Sequence, residues 1–425
     1  MKHLATSESA GTGLRTISSE IWALGFVSLL MDVSSEMIHA LLPIYLVTVM
    51  GASMVTIGTI EGIAEATAAI TKVFSGALSD WLGKRKLLAV IGYGLAAVTK
   101  PVFPLASSVG WVMAARFVDR IGKGIRDAPR DALIADIAPP SLRGASFGLR
   151  QSLDTVGAFV GPLLAIGFMW LTSNQFRIVF WVAVLPGVLA VAVLALGVRE
   201  PVRSPDLRQV RAPLSLPELR SLGSSFWLIV CVATVFTLAR FSAAFLILRA
   251  QGLGLPIVLV PLVFVVMNVI YALAAYPAGA LSDRVNRLTM IILGFLILIA
   301  ADLVLARAGS LASVALGVAL WGLHLGFTEG LLATLVADTA PPELRGTAFG
   351  MFNLAGGAAM LAASLLAGML WEIFGPQMTF LAGASFTALA LLGLGLVRWR
   401  VPTLGHNQKT EIEEGAMSSQ SGILP

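Results

Sequence analysis

The sequence predicts an all-α membrane protein of twelve transmembrane helices, built as two pseudo-symmetric six-helix bundles. Three observations predict it. Hydrophobic residues make up 57% of the chain and charged residues 12%, against roughly 45–50% and about 25% in soluble proteins. The apolar residues fall in repeated long segments separated by short polar loops, as helices crossing about 30 Å of hydrocarbon require, and barrel-type alternation is absent. The chain also repeats itself. Gly76-Ala-Leu-Ser-Asp80 returns 203 residues later as Gly279-Ala-Leu-Ser-Asp283, and the stretch from Ala135-Asp136 to Arg143-Gly144 returns 202 residues later from Ala337-Asp338 to Arg345-Gly346. An even number of spans separates equivalent loops, so both halves insert in the same direction.

The spans are expected at approximately 21–48, 54–79, 87–106, 110–135, 145–171, 176–197, 225–248, 256–281, 288–306, 311–337, 347–371 and 377–398. They group into a tail (1–20), an amino-terminal bundle (21–198), a Pro- and Arg-rich linker (199–223), a carboxyl-terminal bundle (224–399) and a polar, disorder-type tail (400–425). Loops on one side carry Lys84, Arg85, Lys86, Arg143, Arg199, Arg203, Arg284 and Arg345, while the other side offers Arg177, Arg249 and Arg307. The positive-inside bias puts both termini in the cytoplasm and the protein in the inner membrane. The net charge of +5 is therefore a topology signal and no sign of nucleic-acid binding. Cys231 is the lone cysteine, which excludes a disulfide framework. The first span reads as too long for a signal peptide, and it is expected to stay attached.

Charges at membrane depth are the functional signal, since each costs roughly 2.5–3.5 kcal/mol on insertion scales. The first span carries Asp32, Glu36 and His39 on one face, with Pro43 kinking its outer end. The second carries Glu61, Glu65 and Lys72 on one face. On the fourth, Arg116, Asp119, Arg120, Lys123, Arg126, Asp127, Arg130 and Asp131 fall within an arc of roughly 140° at about 100° per residue. Phe117, Val118, Ile121 and Ile125 take the opposite face. In the second half, Asp127 has its counterpart in Glu329, but Arg116, Arg120, Lys123 and Arg126 correspond to Val318, Gly322, Leu325 and Thr328. The basic residues thus belong to the first bundle's own work. The third and ninth spans add only Lys100, expected to snorkel at the outer end, and Asp302.

These motifs make the chain resemble the major facilitator superfamily over residues 20–400. Gly76, Asp80, Gly83, Lys84 and Lys86 match that family's loop signature, and its repeat has Asn286 where glycine is usual. Arg120-Ile-Gly-Lys123-Gly124 resembles the fourth-helix pattern, with Lys123 in place of glutamine. Gly157-Ala-Phe-Val-Gly161-Pro162 matches the first part of the fifth-helix antiporter motif, whose closing glycines are Ala165 and Ile166 here. The resemblance implies that spans one, four, seven and ten line a central cavity. It implies that Asp80 and its basic neighbours, with Asp283 and Arg284, latch the halves in the outward-open state. Asp136 and Arg143, with Asp338 and Arg345, would form the matching cytoplasmic contacts.

The expected function is a secondary transporter working by alternating access about a midplane site, coupled to protons and exporting a small molecule as a monomer. Asp32, Glu36, Glu61 and Glu65 are the proton-coupling candidates, with Arg120 as partner. A carboxylate that is desolvated in one state and paired in another couples proton binding to conformation. The fourth-span charges, His39, Arg240, Asn268, Tyr271, His324, Glu329 and Asn353 are the cavity candidates, alongside Trp321 and Phe327. The alternative is proton symport of an anionic metabolite received by the basic residues. A divalent-metal site at Asp32, Glu36 and His39 is disfavoured by the surrounding cations. No Walker loop, His-rich motif or nucleophile elbow is present, so no cofactor is expected and the proton gradient is the energy source.

Overall fold

The computed structural model describes residues 17–139, 142–200, 221–282, 285–341 and 344–400. All the regular structure in them is helical. In the first half the helices are α1 (Ser19–His39), α2 (Leu42–Thr48), α3 (Met54–Leu82), α4 (Arg85–Thr99), α5 (Val102–Leu105), α6 (Val109–Ile137), α7 (Arg143–Leu171) and α8 (Phe176–Gly197). In the second they are α9 (Ser224–Ala239), α10 (Ala244–Gly252), α11 (Leu262–Ser282), α12 (Arg287–Ala306), α13 (Leu311–Thr339), α14 (Arg345–Phe374) and α15 (Pro376–Arg400). Ten stretches are long and apolar enough to cross a membrane. The two further spans are α3 and α6, the pair that carries the buried charges of the second and fourth spans.

Local chemistry explains the breaks. Pro43 opens α2, which needs no N–H there, so the first span bends at Ala40–Leu41. Ser53 caps α3 by accepting the Thr56 N–H, and Gly83 ends it in a left-handed conformation at φ +65°. Asn286 caps α12 through the Leu288 N–H, a role a glycine side chain could not fill. The seventh span breaks between Ala239 and Ala244, which leaves Arg240–Ala243 as non-helical backbone inside the bundle.

The duplication is visible in packing. In the first half α6 lies against α3 and α4, and α1 against α7 and α8. In the second, α13 lies against α11 and α12. Between halves, α3 packs on α14, α7 on α11, and α2 on α10. Glycines allow the first contact: Gly62 faces the Leu361 backbone and Gly368 faces that of Met54. Hydrogen bonds that cross between halves include Val55 N–H to Glu372 at 3.1 Å, Ser242 to Glu61 at 3.3 Å and Asn268 to Ala158 at 3.5 Å. They lie in the middle and on the side away from the termini, here the far side. One apolar core runs across both halves, from Ile44 and Tyr45 to Phe245 and Phe264, whereas a second, around Leu24, Val27, Leu133 and Leu194, stays within the first half on the near side. The molecule is closed on the far side.

Candidate functional site: a charged junction in the amino-terminal half

The charges of α1, α3, α4 and α6 meet at one junction. α3 and α6 both start on the far side and run in the same direction, so acids one turn apart on α3 meet bases one turn apart on α6. Arg116 donates from Nη2 to Glu61 Oε2 at 3.1 Å, with the two residues 3% and 1% exposed. One turn on, Arg120 Nη1 is 3.7 Å from Glu65, and its Nε is 3.6 Å from Asp119. Glu61 Oε2 also lies 3.2 Å from His39 Nε2 and accepts the Ser242 hydroxyl from the other half at 3.3 Å. His39 Nδ1 is 3.7 Å from Glu36. Toward the near side, Arg126 stacks over the Tyr93 ring at 4.7 Å, and Arg130 reaches the hydroxyls of Ser28 and Tyr93 at 3.3 and 3.4 Å. Asp127 stands 3.7 Å from Arg130.

Several sequence expectations need correction. Lys100 does not snorkel: it is 2% exposed and donates to Asp119 and Ser35, each at 2.9 Å. Arg116, Asp119, Arg120 and Arg126 are buried rather than open to a cavity, because acids and an aromatic ring from α3 and α4 cover them; Lys123 and Asp127 keep part of their surface. Asp32 makes no ion pair within 4 Å with a base of α6 among the described residues; Gly157 brings it against α7, beside the acid Asp154. Arg249 is no loop charge: it is buried and donates to the carbonyls of Leu305 and Ala308.

The motif glycines of α7 act inside one half. A Cβ at Gly157 would stand 2.7 Å from the Leu29 carbonyl and 2.9 Å from Asp32 Cβ, and one at Gly161 would stand 2.8 Å from Glu36 Cβ. The bare backbone before Pro162 therefore lets α7 press on α1 directly behind its two acids. Of the loop signature, the described contacts lie within the first half. Gly76 faces Ala128, Lys84 precedes α4, Lys86 donates to the Ala195 carbonyl at 2.8 Å, and Glu200 accepts the N–H groups of Arg85 and Lys86. Asp136 pairs with Arg85 at 2.8 Å, whereas Arg143 is exposed at the start of α7. The side chains of Asp80, Asp338 and Arg345, and all of Asp283 and Arg284, lie outside the described residues.

In the second half Arg240 Nη2 donates to Glu329 at 3.0 Å, and Tyr271 lies near that carboxylate. Asn268 is engaged with Ala158, and Asn353 is half-buried on α14. His324 and Asp302 are fully buried; Trp321 donates to Asp302 at 3.1 Å, and both ring nitrogens of His324 lack a partner among the described residues. Among the described residues no group of three His, Cys, Asp or Glu side chains is placed to hold a metal ion. Sequence reasoning counted Arg85 only as a loop charge and passed over Asp154, Glu200 and Ser242. Of these, Asp154 alone left a signal, as an acid inside an apolar span one turn before Gly157.

The pattern of the Major Facilitator Superfamily matches residues 24–364 and again 250–421. The chain belongs to that superfamily. An uncharacterized MFS-type transporter of Methanocaldococcus jannaschii is 34% identical over 87% of this chain and 92% of its own. The multidrug resistance protein MdtH of Edwardsiella ictaluri is 27% identical over 48% of this chain and 52% of its own. Among solved structures, a POT family transporter in complex with 5-aminolevulinic acid superposes with a TM-score of 0.76 at 12% identity, covering 93% of this chain and 98% of that one, which shows the shared fold. The protein is a multi-pass secondary transporter of the major facilitator type, embedded in a membrane and moving a small molecule.

Proposed function

We propose that this transporter exports a small molecule in exchange for protons across the cytoplasmic membrane, with both termini in the cytoplasm. On that topology the far side is the outside, and the molecule is closed to the outside. The observation that carries the coupling is the position of Glu61. A single oxygen, Oε2, faces Arg116 and His39 in its own half and the Ser242 hydroxyl of the other half. A change of charge anywhere in the junction therefore acts on a contact that holds the far side shut. Alternating access needs such a differential contact between its two states. The reading of export is supported by the Gly157–Pro162 motif and by the partial likeness to a multidrug resistance protein.

The test is flux in liposomes holding an internal pH dye, challenged with a lipophilic cationic dye, an organic anion and divalent metals in turn. Movement of the cationic dye is expected to dissipate an imposed pH gradient, and Glu61→Gln is expected to uncouple the two. Coupling only to the organic anion would replace export with anion symport. Unimpaired coupling in Glu61→Gln would contradict the role given to Glu61.

A further inference from the structure

Of the acids Asp32, Glu36, Glu61 and Glu65 at the junction, three face a base: Glu36 meets His39, Glu61 meets Arg116, and Glu65 meets Arg120. Asp32 departs from this rule: it has no ion pair within 4 Å among the described residues, and the acid Asp154 of α7 is its neighbour instead. The approach is built into the backbone. Gly157 leaves no side chain between α7 and Asp32, and Asp154 sits one turn earlier on the same helix, held by Arg150 Nη2 at 2.8 Å. Two carboxyl groups brought side by side repel each other when both are charged, and a proton held between them removes that repulsion.

A second observation concerns Arg126. It is 4% exposed, yet its Nε and Nη1 have no hydrogen-bond partner among the described residues. The Asp127 oxygen stands 3.9 Å from Nε, beyond bonding distance. The guanidinium lies over the Tyr93 ring, and the Tyr93 hydroxyl is 3.5 Å from Ser28, one turn before Asp32 on α1. Lys123 and, more weakly, Arg126 are close enough for their charges to act on Asp32, and of the two only Arg126 has buried N–H groups without a partner among the described residues. Buried N–H groups of a guanidinium are costly to leave unmet, and a carboxylate on Asp32 would meet them.

We propose that Asp32 is a two-position proton switch, sharing a proton with Asp154 in one position and pairing with Arg126 in the other. This rests on the proton-coupled reading above and names the group that holds the transported proton. On release, the O–H bond of the shared acid breaks and the proton passes to near-side water by way of Asp154, whose side chain is 21% exposed. The carboxylate left on Asp32 takes the guanidinium. The ionisable groups around it are Asp154 and Arg150 on α7, Lys123, Arg126 and Arg130 on α6, Tyr93 on α4 and Glu36 on α1 itself. The only such group on α8 is Arg177, at its far end.

Infrared difference spectra of the protein in liposomes, taken across a pH step, read protonated carboxyl groups directly and need no substrate. One carboxyl band is expected to disappear in Asp32→Asn and equally in Asp154→Asn, because the proton is shared, while Glu65→Gln retains it. Asp154→Glu, which keeps a carboxyl, is expected to restore the band and guards against a folding artefact. In Arg126→Gln the band is expected to persist at a pH where the unsubstituted protein has lost it. A band that survives Asp154→Asn, or one indifferent to Arg126→Gln, overturns the switch. If the band behaves as stated but flux proves independent of the pH gradient, the proton site stands and the coupled-export reading falls.

Discussion

Lys100 Nζ and Asp119 Oδ1 stand 2.9 Å apart between α4 and α6, and 202 residues later the corresponding positions hold Asp302 and Trp321, joined at 3.1 Å between α12 and α13. The duplicated scaffold thus keeps a polar bridge at one place while its chemistry differs between halves. In the first half it is an ion pair. In the second it is an acid held by an indole.

Breaking the first bridge from one side leaves a buried carboxylate short of its partner. Lys100→Met is expected to cost about 3–5 kcal/mol, and the double substitution Lys100→Met with Asp119→Leu to recover most of it. Thermal unfolding in detergent reads both. Equal losses in the single and double variants would mean that packing, not charge, dominates there.

Trp321→Phe keeps a ring against His324, 5.2 Å away at present, but strips Asp302 of its hydrogen bond. The expected loss is about 1–3 kcal/mol. Replacing Asp302 by Leu in that background is expected to restore stability, measured the same way.

The α1–α7 contact is steric. Gly157→Val and Gly161→Val must push α1 away from α7, at an expected cost of about 1–3 kcal/mol. At Gly148 and Gly167 on the same helix an added Cβ would meet nothing within 4 Å among the described residues, so alanine there is expected to be silent. Expression, monodispersity and unfolding temperature of the four variants check the contrast.

The halves, the spans and the resemblance were legible because hydropathy and repetition are properties of the chain alone. So was the gathering of charge on the first, second and fourth spans, since Glu61, Glu65, Arg116 and Arg120 share helix faces at matching depth. Partner choice was less legible. Lys100 lies near a span end in sequence, where snorkelling is the usual outcome, and only the packing of α4 against α6 turns it inward to Asp119. Asp32 looked like the other acids of its face until Gly157 brought α7, and with it Asp154, to its side. Ser242 could not be found at all, because its role depends on how the two halves meet.

On the proposed mechanism, charge in the first half decides which side of the transporter is open. Spin labels at Val49 and Leu259, both exposed on the far side of opposite halves, report it as a distance once Cys231 is replaced by alanine. Losing the Glu61 charge removes hydrogen bonds worth about 1.5–3 kcal/mol each, so Glu61→Gln is expected to shift the balance toward the long, far-open distance by roughly tenfold or more. The unsubstituted protein is expected to change its distance distribution with pH, and Asp32→Asn to lose that dependence. Identical distributions in all three proteins at every pH would rule out this control by charge.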